Sequence, residues 1–211
     1  WVKVQPGVIL DQLNETLKPR GVFFPLSIST SNRATLGGMF NTDACGKGSM
    51  VYGKTSTNVL GSRHVMADGS LLVCDQKHQD ETTSKLEQGL HTLISPHAKL
   101  INSKFPKLQR FLTGYNLKHA LDKADNKPQD KLKKVDLNSL LSGSEGTLTF
   151  CTELTLNLIP IPENKCLLVL GYSSFRDALA DSLRLRSLKP IAIETIDWNI
   201  LELAKKDEVY H

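Results

Sequence analysis

Val2 and Val4 alternate with polar neighbours before Pro6-Gly7 turns the chain, which predicts a short strand. Val8, Ile9, Leu10, Leu13 and Leu17 follow at helical spacing, and Gly21 stands where such a helix stops. Val22-Phe23-Phe24-Pro25 predicts a brief extended segment. Residues 26–49 are rich in Ser, Thr, Asn and Gly, show no helical period and predict a long loop. From Asn58 to Cys74 two apolar runs flank Ala67-Asp68-Gly69-Ser70, a hairpin signal. Residues 76–135 predict two or three amphipathic helices broken at Pro96, Pro106 and Gly114, and 136–141 a short helical turn. Leu148, Phe150, Thr152, Leu154, Leu156 and Leu158 alternate, so Thr147–Pro160 predicts one long strand, with Pro160 and Pro162 marking a boundary. Beyond it lie a predicted strand (166–170), helix (174–185), strand (191–196) and helix (198–205), the opening of a second α+β unit.

Composition confines this pattern to folded chains: 40% of the 211 residues are hydrophobic and 23% charged, too apolar for disorder. The longest apolar runs are strand-sized, so no transmembrane segment is expected. Cys45, Cys74, Cys151 and Cys166 form no C-x-x-C pair, which points to reduced thiols in a cytoplasmic protein and to neither zinc nor iron–sulfur ligation within the chain. The formal charge of +4 is uneven: residues 76–135 carry 12 Lys+Arg against 6 Asp+Glu. That block fits either an anion-facing surface or a solvated lysine-rich helical face.

The densest chemical signal is Thr35-Leu36-Gly37-Gly38-Met39-Phe40-Asn41-Thr42-Asp43-Ala44-Cys45-Gly46, followed by Gly53. Glycines let backbone N–H groups approach a ligand, and a concave run of them binds anions. Neither the P-loop nor the G-x-G-x-x-G spacing occurs, and the stretch fits a structural loop as well as a ligand loop. The second signal, Gly143-Ser144-Glu145-Gly146-Thr147, places a carboxylate between glycines ahead of the long strand, as a ligand contact or an ordinary turn. No nucleophile–base pair stands out: the G-x-S-x-G elbow is absent, and His64 in an apolar run reads as a core histidine. Neither a catalytic nor a metal-binding residue is assigned within 1–211.

Four stretches together resemble a known family: Val4-Gln5-Pro6-Gly7-Val8; Phe24-Pro25 through Thr35-Leu36-Gly37-Gly38 to Gly46; Thr113-Gly114-Tyr115-Asn116-Leu117; and Gly143-Ser144-Glu145-Gly146-Thr147-Leu148. The chain resembles FAD-linked oxidoreductases of the vanillyl-alcohol-oxidase type, the glycolate oxidase and D-lactate dehydrogenase group. Within it, the chain is most similar to bacterial FAD- and iron–sulfur-containing D-2-hydroxyglutarate dehydrogenase-like proteins. It departs from their flavin-loop motif at Ser27, Ile28, Asp43 and Cys45.

The resemblance implies an α+β fold with an antiparallel or mixed sheet flanked by helices. Residues 1–162 would be the second subdomain of a PCMH-type FAD-binding domain, and 163–211 the start of a substrate (cap) domain. It implies FAD as cofactor, with Pro25, Ser27, Thr30, Thr35, Gly37, Gly38, Asn41, Thr42, Asp43, Ala44, Gly46, Gly53, Glu145, Gly146 and Phe150 as binding residues. Arg110, Tyr115 and Asn116 are the candidate neighbours of an unidentified substrate. The implied reaction is hydride transfer from a 2-hydroxy acid of the D-2-hydroxyglutarate, D-lactate or glycolate type, leaving the 2-oxo acid. Electrons would then pass to an iron–sulfur module or quinone outside this chain.

The start at Trp1 rather than Met and the absence of a pyrophosphate-cradling loop imply an internal fragment, inactive alone, whose partners are the missing N- and C-terminal domains. Location is expected to be cytoplasmic, with peripheral membrane association compatible. Two other classes share some features. One is a reductase of the same flavin superfamily, similar to UDP-N-acetylenolpyruvoylglucosamine reductase. The other is a non-enzymatic anion- or nucleic-acid-binding domain using the basic block, although helix-turn-helix and zinc-finger spacings are absent.

Overall fold

In the computed structural model, residues 1–75, 80–108, 114–125 and 135–207 are described. Four strands form one antiparallel sheet in the order β1 (Val2–Val4), β5 (Phe150–Leu156), β3 (Val59–Val65), β4 (Leu71–Asp75). The β3–β4 hairpin turns where the Asp-Gly signal placed it, with Gly69 at φ 84°, a left-handed conformation that glycine adopts without a Cβ clash. A smaller antiparallel pair joins β2 (Val22–Phe23) to β6 (Ile159–Pro160).

Helix α1 (Leu10–Leu17) buries Leu10, Leu13 and Leu17 on one face, and a 3-10 turn carries it to Gly21 at φ 68°. Further helices are α2 (Leu36–Asn41), α3 (Ser49–Tyr52), α4 (Glu81–Ile94), α5 (Ala98–Lys104), α6 (Leu117–Asp125) and α7 (Leu137–Leu141). The core lies between the sheet's inner face and these helices. Val4, Leu72, Leu154 and Leu156 come from strands, and Leu10, Leu36, Phe40 and Leu137 from helices. In the basic region, Pro96 sits in a 3-10 turn between α4 and α5, and Asp80 caps α4 by accepting the Thr83 N–H at 2.6 Å.

The structure corrects three expectations. The loop expected over 26–49 contains α2 and the start of α3. Leu36, Met39 and Phe40 supply one apolar face too short to register as a period, and the two glycines between them lower helix propensity. The strand expected over Thr147–Pro160 is β5 plus the separate β6, and its alternation breaks at a bulge. Arg63 pairs with Glu153, but His64 pairs with Cys151, so the buried positions change from odd (Cys151) to even (Leu154, Leu156). The strands expected at 166–170 and 191–196 pair with nothing among the described residues, and Leu167 is 88% exposed. An extended apolar run becomes a strand only when a neighbouring backbone completes its ladder. Helices α8 (Phe175–Leu185), capped by Ser174, and α9 (Trp198–Ala204), capped by Asp197, form as expected. No described helix is long and apolar enough to cross a membrane.

Candidate functional site

Helix α2 is tied at both ends. Thr35 is its N-cap, with Oγ1 accepting the Gly38 N–H at 3.2 Å. The Leu36 N–H donates to the Val8 carbonyl and the Gly37 N–H to the Pro6 carbonyl, both at 2.8 Å, while the Met39 N–H donates to Thr35 O at 2.9 Å. The amides of Leu36, Gly37, Gly38 and Met39 are therefore engaged within the chain. What the segment offers a ligand is shape and side chains. A Cβ on Gly37 would lie 2.5 Å from Pro6 Cβ, so this close approach admits only glycine. A Cβ on Gly38 would meet only the Thr35 hydroxyl, at 3.0 Å.

The other end of α2 meets the 143–147 turn. The Gly143 N–H donates to Phe40 O at 2.9 Å, the Glu145 N–H to Asn41 O at 2.8 Å, and Ser142 Oγ to Phe40 O at 3.2 Å. The Glu145 bond satisfies the Asn41 carbonyl at the helix end, while Phe40 O also accepts the Asp43 N–H at 3.0 Å. Glu145 adopts a left-handed conformation (φ 57°) and its side chain is exposed. Between α2, the Pro6-Gly7 turn and the start of β5 lies an open cleft of ≈ 350 Å³, lined by Pro6, Gly7, Thr35, Gly37, Gly38, Asn41, Gly146, Thr149, Phe150 and Cys151. Phe150 presents an aromatic side chain that is 70% exposed.

A line of hydrogen bonds runs from this cleft into the core. Thr149 Oγ1 lies 2.9 Å from His64 Nδ1, and His64 Nε2 lies 2.7 Å from Ser62 Oγ. Ser62 Oγ donates to Asn138 Oδ1 at 2.6 Å, and Asn138 Nδ2 donates to the Cys74 carbonyl at 2.9 Å. His64 is 1% exposed and packs against the Phe40 ring, 5.6 Å between centroids. Burial pushes its pKa down to about 4, so the ring is neutral at physiological pH. Burial pushes the Cys151 thiol up to about 11; for Cys74, burial and then the Glu87 carboxylate push it to about 12. Neither is a thiolate nucleophile at neutral pH. No group of His, Cys, Asp or Glu among the described residues is placed to hold a metal ion.

Of the expected flavin-binding residues, Thr35, Gly37, Gly38, Asn41, Gly146 and Phe150 converge on the cleft. The others lie outside its lining. Asp43 is buried in an ion pair with Lys54, and its Oδ1 accepts the Ser56 N–H at 2.9 Å. Ala44 O accepts both the N–H and the hydroxyl of Thr55, at 3.0 and 2.8 Å. Thr42 Oγ1 donates to Gly38 O at 2.9 Å, and Thr30 O accepts the Ala34 N–H at 2.8 Å. Gly46 lies against the Ser27 carbonyl, Pro25 is buried, and Gly53 packs on Thr57. Tyr115 reaches the turn beside the cleft through a 2.9 Å contact between its hydroxyl and Thr147 Oγ1. Asn116 is buried, its Oδ1 accepting the His119 N–H at 3.2 Å as α6 begins. Arg110 lies outside the described residues. Pro6, Gly7, Thr149 and Cys151 complete the lining although none was expected there. Thr149 and Cys151 flank Phe150 just after the Gly-Ser-Glu-Gly signal, which is the one clue the sequence held for them.

Comparison with known proteins bears on this cleft. A family model described as an FAD binding domain matches residues 1–75. A D-2-hydroxyglutarate dehydrogenase of Pantoea ananatis is 43% identical over the whole chain, which covers 21% of that protein. A D-lactate dehydrogenase of Archaeoglobus fulgidus is 26% identical over 95% of the chain, covering 34% of its own length. Among solved structures, an alkyldihydroxyacetonephosphate synthase matches 90% of the chain and 25% of its own, with a TM-score of 0.54 at 16% identity, a likeness of fold. The chain thus spans about a fifth of the length of D-2-hydroxyglutarate dehydrogenase relatives such as that of Pantoea ananatis.

Proposed function

Since the chain belongs to the FAD-linked oxidoreductases of the vanillyl-alcohol-oxidase type, we propose that it forms one wall of the flavin site in an enzyme that oxidises a 2-hydroxy acid to its 2-oxo acid. The observation that carries this reading is the cleft itself. Its lining includes Gly38 and Gly146, where an added Cβ would meet only the Thr35 hydroxyl at 3.0 Å and Asn41 Nδ2 at 3.7 Å. Its rim offers Thr35, Asn41 and Thr149 for polar contacts and the Phe150 ring for an apolar one. Such a surface fits a planar heterocycle carrying a polyhydroxyl tail, and its volume lies within the range of about 300–1,000 Å³ usual for ligand sites.

Bound there, the flavin supplies the two-electron acceptor for the oxidation. The residues of this chain position it. Thr35 and Asn41 offer hydrogen bonds along α2, Gly38 admits close approach, and Gly146 and Phe150 close the opposite side. The 2-hydroxy-acid class rests on the dehydrogenases similar to the chain, and D-2-hydroxyglutarate is the substrate favoured by the 43% identity. Residues 163–211 belong, on this reading, to a separate substrate (cap) domain. From 163 to 207 no residue is buried, and Leu167, Leu168 and Val169 face solvent, as expected of a segment whose packing partners lie elsewhere. A cytoplasmic setting and an iron–sulfur or quinone electron acceptor complete the proposal.

The test is FAD titration of the protein carrying this chain, followed by flavin fluorescence, beside its Gly38→Val variant. Binding weakened at least tenfold by the added side chain is the expected result. A protein that binds no flavin overturns the reading.

A further inference from the structure

The hydrogen bonds behind the cleft have only one consistent direction, and that direction reaches the cleft surface. Asn138 is anchored by its Nδ2 donating to the Cys74 carbonyl; turning the amide over would set two acceptors against each other. Its Oδ1 therefore faces Ser62 and can only accept, so it takes the single hydroxyl hydrogen of Ser62 across 2.6 Å. Ser62 Oγ is then left to accept from His64 Nε2 at 2.7 Å, which places the imidazole proton on Nε2. In a neutral ring Nδ1 is then a bare acceptor. Among the described residues, the hydrogen within reach is that of the Thr149 hydroxyl, 2.9 Å away. Thr149 lines the cleft, and its one hydrogen is directed inward. All it has left for an occupant is oxygen lone pairs and a methyl group.

We propose that Asn138, Ser62 and His64 act as a polarity relay that holds the Thr149 hydroxyl as an obligate hydrogen-bond acceptor in the cleft, where it receives an N–H or O–H donor of the bound flavin. Thr149 is the contacting residue; His64, Ser62 and Asn138 are positioning residues that act through it. The inference rests on the flavin reading above and deepens it by assigning the sign of one contact. The arrangement explains why a histidine, a serine and an asparagine occupy buried positions: each is satisfied by the next, and the line ends at the cleft rather than closing on itself. It also accounts for His64 without asking it to exchange protons.

The experiment measures FAD affinity of the deflavinated protein carrying this chain, by quenching of flavin fluorescence. The variants are Thr149→Val, Thr149→Ser, Ser62→Ala and Thr149→Val/Ser62→Ala, with urea midpoints recorded in parallel. Thr149→Val is expected to weaken binding about tenfold, the worth of one buried hydrogen bond, and Thr149→Ser to restore it to within about threefold. Ser62→Ala frees the imidazole to carry its proton on Nδ1, which turns the Thr149 hydroxyl into a donor. It should weaken FAD binding by a similar factor although it touches no part of the cleft. In the Thr149→Val background the same change should add nothing to the loss of affinity, whatever it does to the urea midpoint. Parent protein that binds FAD while Thr149→Val binds it equally well overturns the relay and leaves the flavin reading standing. Independent, multiplying effects of Ser62→Ala and Thr149→Val on affinity also overturn it. Parent protein that binds no FAD overturns the reading beneath.

Discussion

The ion pair between Asp43 and Lys54 is the sharpest point at which to perturb the wall of the cleft. Both side chains are almost wholly buried, and Asp43 adopts a left-handed conformation (φ 45°) that Asp and Asn tolerate better than other residues do. Asp43 Oδ1 also accepts the Ser56 N–H at 2.9 Å, so the carboxylate joins the connection after α2 to the segment leading into β3. Asp43→Asn keeps the backbone conformation and an oxygen for Ser56 but removes the charge facing the Lys54 ammonium. Losing one member of a buried pair costs about 3–5 kcal/mol, because the other charge stays desolvated. Lys54→Met removes the opposite charge at similar volume and should cost a comparable amount, softened by the Ser56 N–H that still serves Asp43. With both changes together neither charge remains, and most of the loss should be recovered. A coupling energy of about 2–3 kcal/mol is therefore expected from urea unfolding of the parent, both single variants and the double variant. Additive single effects, or single losses below about 1 kcal/mol, would refute the argument that this pair holds the connection in place.

Gly37 and Gly38 are adjacent in sequence but should respond oppositely. Gly37→Ala forces a Cβ to 2.5 Å from Pro6 Cβ and should destabilise by about 1–3 kcal/mol in urea, whereas Gly38→Ala should stay within about 1 kcal/mol and show its effect in FAD affinity instead. His64 should make stability depend on pH. Its folded pKa of about 4 lies below its ordinary 6.5, so as pH falls the unfolded chain takes up the proton first. The stabilisation is complete above pH 6.5, declines toward pH 4 and levels off below it, about 3 kcal/mol in all. Urea midpoints from pH 7.5 to 4 should show this slope in the parent and not in His64→Gln, and equal slopes would contradict it. Phe150→Ala removes an exposed ring, so it should leave the urea midpoint within about 0.5 kcal/mol and lower FAD affinity; an unchanged affinity would take Phe150 out of the site.

The sequence discloses an element when its own residues enforce it. Helix α1 shows a sustained apolar stripe and a terminal glycine, and the β3–β4 hairpin has Asp68-Gly69 at its turn. Helix α2 shows nothing comparable, because it is held from outside. Val8, Pro6 and the 143–147 turn supply partners for its ends, and neither propensity nor periodicity records partners that distant. The bulge in β5 is hidden for a related reason. Alternation can be read along a strand, but a change of face is decided by the pairing of β3 with β5.

The same distinction divides the cleft. Gly37, Gly38 and Gly146 could be picked out from sequence because close approach and turn geometry restrict which residue types fit, and that restriction leaves a motif. Thr149 leaves none, since a threonine at the start of a strand has many uses. Its role depends on His64, Ser62 and Asn138, which lie 85, 87 and 11 positions away in the chain. A glycine's contribution to the site is steric and local, so it survives in the sequence as a pattern. A hydroxyl's contribution here is the direction of one hydrogen, fixed three residues deeper in the core, and only the folded chain determines it.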